Sequence, residues 1–109
     1  MEPISRPPAG SADLPLTVLA HVRARAGQEG ELRDLLNSLL EPTRAEAGCV
    51  CYDLHQAVGD PTRFVFHENW RSQADLDRHL ASPHVASVLA RLPGLLAEPP
   101  EITSWRRIG

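Results

Sequence analysis

The sequence contains no lysine; all eleven of its basic residues are arginine. That absence excludes a Schiff-base lysine, a pyridoxal phosphate site and a phosphate loop ending in Gly-Lys-Ser/Thr. Cysteine occurs twice, too rarely for a disulfide framework, so a cytoplasmic location is the expectation. No apolar run nears the roughly 18 residues that span a bilayer, and residues 1–14 lack the apolar stretch of a secretory signal. These absences argue against a membrane partner. The formal net charge is −3 and no basic stripe is present, which argues against nucleic acid. No dinucleotide fingerprint occurs, and the five histidines form no His-x-x-x-His or His-Glu-x-x-His pair.

What is present fits one small globular domain: 109 residues, 42% hydrophobic and 23% charged. Residues 1–15 hold four prolines and little to bury, and read as a disordered N-terminal tail. The folded domain spans 16–109. Residues 16–25 alternate, with Leu16, Val18, Ala20, Val22 and Ala24 on one side, and predict a strand. Residues 29–47 carry a leucine stripe at helical spacing through Leu32, Leu35, Leu36, Leu39 and Leu40. Pro42 should kink this helix, and Gly48 should cap its end. Residues 48–58 and 63–70 alternate around a Gly59-Asp60-Pro61-Thr62 turn and predict a hairpin. Ser72 and Ser82-Pro83 should start two further helical pieces, and residues 101–108 a last strand.

The order β-α-β-β-α-β predicts an α+β, ferredoxin-like βαββαβ fold: a four-stranded antiparallel sheet with helices on one face. The first strand then lies centrally, and its second face carries Thr17, Leu19, His21, Arg23 and Arg25. Apolar surface left uncovered there is best hidden by a second copy, so a homodimer is expected.

Residues 60–70, including Phe64-Val65-Phe66-His67-Glu68-Asn69-Trp70, are followed by Leu76-Asp77-Arg78-His79-Leu80-Ala81-Ser82-Pro83-His84. Together they resemble the antibiotic biosynthesis monooxygenase family, most closely its quinol monooxygenase branch. Residues 48–54 fit the strand that follows that family's first helix. The Glu-x-Trp pattern, with a histidine nine residues after the tryptophan, marks the fold more specifically than the substrate. The resemblance implies a dimeric α/β barrel, a pocket between sheet and helices in each subunit, and neither metal nor flavin. It also implies oxidation of a small aromatic hydroquinone or polyketide-like phenol by O2, with no cofactor.

Candidate residues follow. Glu68 shares a strand face with Phe64, Phe66 and Trp70, where a carboxylate needs a partner. It could orient His79 or act as base. His79, beside the Leu76/Leu80 stripe and one turn after Asp75, has a side chain whose ordinary pKa suits phenol deprotonation. His21 is a second candidate base, at the strand position where haem-degrading relatives carry Asn. The place of their iron-ligating histidine falls near Leu89, which argues against haem degradation. Trp70, Tyr52, Phe66, Phe64, His84 and Asn69 are candidate substrate-binding residues. Cys49, Cys51, Asp53 and His55 alternate along one strand face. Neighbours of that kind stand about 6.5–7 Å apart, so a straight strand cannot gather them on one ion. Two other functions stay open: isomerisation of a small polar or phosphorylated ketone, favoured if Arg23 or Arg63 points inward, and a non-catalytic dimeric ligand-binding or stress-response module.

Overall fold

The computed structural model describes residues 14–109. The tail expected over 1–15 lies outside these residues except for its last two positions. Strands β1 (Leu16–Arg23), β2 (Cys49–Gln56), β3 (Arg63–Trp70) and β4 (Glu101–Trp105) form one antiparallel sheet in the order β2-β3-β1-β4. Helices α1 (Glu29–Asn37), α2 (Leu40–Arg44), α3 (Gln73–Leu80) and α4 (Pro83–Arg91) pack on one face of it. The fold is the ferredoxin-like split βαβ, with each crossover helix in two pieces.

The alternation in β1 does what period-two patterning dictates. Leu16, Val18, Ala20 and Val22 are buried against Leu32, Leu35 and Leu36 of α1, Leu76 of α3, and Val85 and Val88 of α4. Thr17, Leu19, His21 and Arg23 face the other way. The two later helices begin as expected: the Ser72 hydroxyl accepts from Asp75 N and the Ser82 hydroxyl from Val85 N, with Pro83 in the first turn.

The kink expected at Pro42 is a full break, and it falls at Ser38–Leu39, between α1 and α2. A proline removes the bond to the carbonyl four residues back and crowds it, and that residue is Ser38. Leu39 N instead bonds Leu36 O in a tightened turn. The crossover helix thus ends at Arg44 rather than running on to Ala47, and residues 45–48 become a turn. Gly48 is not a left-handed cap: among the described residues only Gly27 has positive φ, at 87°. Gly48 is needed for space, because a Cβ there would overlap the buried Asp75 side chain. β4 ends at Trp105, short of the expected Ile108, and β1 at Arg23.

A β-bulge between Cys49 and Cys51 changes the reading of β2. Cys49 pairs with Trp70 and packs against the core, whereas Cys51 pairs with Asn69. The extra residue, Val50, is exposed. The two cysteines therefore lie on opposite faces, not on one.

Gly48→Ala should destabilise the protein by about 1–3 kcal/mol, as expected for forcing a methyl into packed space. Urea unfolding of the two proteins measures this.

Candidate functional site

The site is assembled where the turn after α2 meets α3 and α4. Glu46, in that turn, extends a carboxylate between two imidazoles. Its Oε2 is 2.8 Å from His79 Nδ1 and 2.7 Å from His84 Nε2. A carboxylate oxygen only accepts, so both rings present an N–H to it. For His79 this fixes the Nδ1–H tautomer and leaves Nε2 as the free lone pair. His79 lines an apolar cavity, and its Nε2 bonds no described residue and is not walled in. Burial lowers the His79 pKa from its ordinary value, opposed by the Glu46 hydrogen bond and charge. The ring is therefore mostly neutral at pH 7, with Nε2 left as its base nitrogen.

The sheet supplies the walls. Tyr52 of β2 stacks on Phe66 of β3 with ring centres 4.8 Å apart, and meets His79 edge-on at 5.4 Å. Trp70, fully buried, lies behind these groups. Its ring is 4.7 Å from the His79 imidazole, and its Nε1 donates to Glu68 Oε1 at 2.8 Å. Burial pushes the Glu68 carboxyl up to about 7; the Trp70 bond opposes this, and the Glu46 charge adds to it. Burial, then the Glu68 charge, also raises the Tyr52 phenol. The Thr43 side chain, also buried, opposes that rise.

The cavity, partly open to the surface, has a volume of about 140 Å³ between sheet and helices. Of the residues expected from the sequence, His79, Glu68, Tyr52 and Phe66 line it. His84 reaches the site through Glu46 rather than as a lining residue. Trp70 is a support for His79 and Glu68 rather than a wall. Phe64 is buried at the other end of β3, against Leu54 and Gln56. His21 and Asn69 are on the opposite face of the sheet, His21 exposed and Asn69 held by Thr17. Neither meets His79, because β1 and β3 alternate. The partner expected for His79 also changes: Asp75 is tied to Arg71, Ser72 and Arg78, and Glu68 to Trp70.

Glu46 is the residue that sequence reasoning missed. It lies 33 and 38 positions from its two histidines, with no local spacing to signal it. The only hint is Pro42, which forces the chain to turn before residue 47. Glu46, His79 and His84 also have the donor types of a metal site. Ligand atoms around one Zn²⁺ stand about 3.3 Å apart, given bonds of about 2.0–2.1 Å. The closer spacing here is that of shared protons.

Glu68 gives a pH prediction. Its carboxyl stays protonated in the folded protein up to about pH 7, against an ordinary value of 4.5. Between these values the folded state binds more protons than the unfolded, so stability falls as pH rises through the window. The loss attributable to Glu68 should reach about 3 kcal/mol by pH 8. Glu68→Gln, which still accepts from Trp70, should abolish that part of the decline in urea titrations at pH 5 and pH 8.

With this geometry in view, similarity to known proteins can be placed. The family model described as antibiotic biosynthesis monooxygenase matches residues 15–91. A Mycobacterium tuberculosis protein named "Putative monooxygenase Rv0793" is 38% identical over 89 residues, which cover 82% of this chain and 87% of that one. An uncharacterized Synechocystis protein is 32% identical over 95 residues, covering 87% of this chain and 65% of its own length. This chain thus spans just under two thirds of that relative. The solved Rv0793 structure superimposes with a TM-score of 0.83 over 87% of this chain and 96% of that one, at 35% identity. The crystal structure of PA3566 from Pseudomonas aeruginosa gives 0.84 over 90% and 98%, at 36% identity. A match through both crossovers and three of the four strands, on a fold shared nearly end to end, leads to one conclusion: the chain belongs to the antibiotic biosynthesis monooxygenase family.

Proposed function

We propose that this protein is a cofactor-independent monooxygenase that oxidises a single-ring hydroquinone with O2. The observation that carries the reading is the Glu46–His79 pair at the wall of a small apolar cavity. An apolar cavity of about 150 Å³ takes up a benzene ring. A volume of about 140 Å³ therefore has room for one ring.

His79 Nε2 takes the phenolic proton, while Nδ1–H stays on Glu46, whose carboxylate favours the imidazolium so formed. Phe66 and Tyr52 flank the ring and keep water from it. The bound anion is electron-rich enough to pass one electron to O2, and recombination then forms the new ring C–O bond. One hydroquinone and one O2 give one hydroxyquinone and one water. The ring loses four electrons, O2 gains four, and one oxygen atom leaves as water. Glu68, protonated over much of the neutral range, can donate to the second ring oxygen.

The isomerase reading needs a cation at the substrate. Arg23 pairs with Asp60 on the other face of the sheet, Arg63 is exposed, and no described arginine lines the cavity. A ligand-binding module without chemistry would bind the same ring without turnover.

We also propose that two copies pack sheet to sheet as a dimeric α/β barrel. No described helix covers the outer sheet face, where Leu19, Val65 and Trp105 are the apolar residues and Trp105 is 55% exposed. That face is more polar than the sequence argument assumed, so the pairing rests on a few apolar contacts within a hydrogen-bonding surface. Sedimentation should give twice the chain mass, and Leu19→Asp combined with Val65→Asp should return it to a single chain.

Activity offers the direct test. Oxygen uptake with monocyclic hydroquinones should fall about 10²–10⁴-fold in His79→Ala. Rates in the parent protein should reach their plateau by pH 7, since the His79 pKa is lowered. Glu46 raises that pKa, so Glu46→Gln should move the acid limb further down while slowing turnover. No uptake with any hydroquinone in the panel, despite tight binding, would leave the ligand-binding module standing instead.

A further inference from the structure

The cavity has room for one ring, and its opening is apolar. Leu80 of α3, Leu89 of α4 and Ile102 of β4 line the cavity, yet they are 47%, 53% and 56% exposed. Side chains that border both the cavity and solvent stand at the opening. Single exposed leucines are ordinary on a protein surface; three large apolar side chains around one opening form a patch. Ile102 pairs with Ala20 of β1, whose side chain is buried under the helices, and directly opposed residues share a sheet face. The opening is therefore on the helix side of the sheet, which sheet-to-sheet pairing leaves uncovered.

Beside it runs an open groove of about 410 Å³, between the end of α4 and residues 96–100. Leu89, Leu92 and Pro100 line both spaces, so cavity and groove adjoin. The rest of the groove wall is Pro93, Leu96, Ala97, Glu98 and Pro99. This wall is preformed. Three of its residues are prolines with a fixed φ. Leu96 bridges to Ala24 and its carbonyl accepts from Arg25 Nε at 2.9 Å, while Ala97 N donates to the Arg23 carbonyl at 2.9 Å. Little ordering is left for a ligand to impose. Glu98 is the one charged residue among those described in the groove, and no described arginine lines either space. An anionic substituent on the ring would find no partner here, whereas a hydrocarbon chain would find an apolar wall.

We propose that the ring bound in the cavity carries a hydrocarbon side chain, which leaves through the opening over Leu89 and Pro100 and lies along this groove. The substrate is then an alkyl-substituted hydroquinone. This rests on the oxygenase reading of the same cavity and names its substrate class. A methylene taken wholly out of water strengthens binding by up to about fourfold. The groove is open on one side, so about twofold per carbon is expected.

Calorimetric titration in the absence of O2 separates binding from turnover. The full-length protein should bind hexylhydroquinone about 30-fold more tightly than methylhydroquinone. Ala97→Asp and Pro93→Asp each put a carboxylate into the groove wall at an exposed position, and each should remove most of that preference. A variant that is merely destabilised would weaken both ligands together and keep the ratio. Admitting O2 then tests the chemistry, and the KM for uptake by the parent protein should fall in the same order as the dissociation constants. A chain-length preference that both variants lose, without O2 uptake, would uphold the groove as the chain's site and sink only the oxygenase reading. Equal affinities for the two ligands in the parent protein, or a preference undiminished in both variants, would overturn the proposal even where O2 is consumed.

Discussion

One oxygen atom, Glu46 Oε2, accepts hydrogen bonds from His79 and His84, and three elements meet through it: the turn after α2, the end of α3 and the start of α4. The bond to His79 sets which imidazole nitrogen holds the proton, and therefore which one is left to act as a base. The same carboxylate opposes the effect of burial on His79 and adds to the rise at Glu68. A histidine in this pocket without Glu46 would be a buried ring of undefined tautomer. With it, the ring is oriented, neutral and able to accept a proton without first giving one up.

The pleat separates two sets of side chains on one pair of strands. Along β3, Phe64, Phe66, Glu68 and Trp70 point to the helices, and Val65, His67 and Asn69 point away. Along β2 the bulge at Val50 resets the alternation, so that Cys49 packs with Trp70 while Cys51 joins the outer face. Without that extra residue both thiols would share a face, and with Cys49 kept in the core Tyr52 would turn outward, away from both Phe66 and His79. A local irregularity thus places both the inner aromatic wall and the outer thiol.

Most of the fold was legible because it rests on short-range rules. Period-two alternation identified β1 and β3, the leucine stripe identified α1, and Ser72 and Ser82 marked helix starts that hold in the structure. The family pattern also singled out Glu68, Trp70 and His79, three side chains that the fold brings together. What could not be read depends on contacts between distant residues. Pro42 announced a defect but not how far upstream it would act. Gly48 suggested a cap, yet its constraint comes from Asp75, 27 residues later. His21 entered the site list through a family register, and both it and Asn69 fell on the far face, where strand alternation alone would have put them. Glu46 had no local signal, since its role exists only once two helices converge on it.

The cavity and Glu68 bear on whether this site serves the fold or a reaction. An apolar space of about 140 Å³ beneath the helices forgoes packing contacts that a filled core would make. Glu68 removes about 3 kcal/mol above neutral pH. A domain of this size has only about 5–15 kcal/mol of net stability. Enlarging Ala20 would fill the space, and an apolar residue in place of Glu68 would end the carboxylate's unfavourable burial; neither change conflicts with the topology. Both defects instead adjoin His79, which lines the same cavity. A core selected only for stability has no reason to concentrate a void, a protonated carboxyl and an oriented base at one point. A site that must admit a ring and move a proton on it requires all three together.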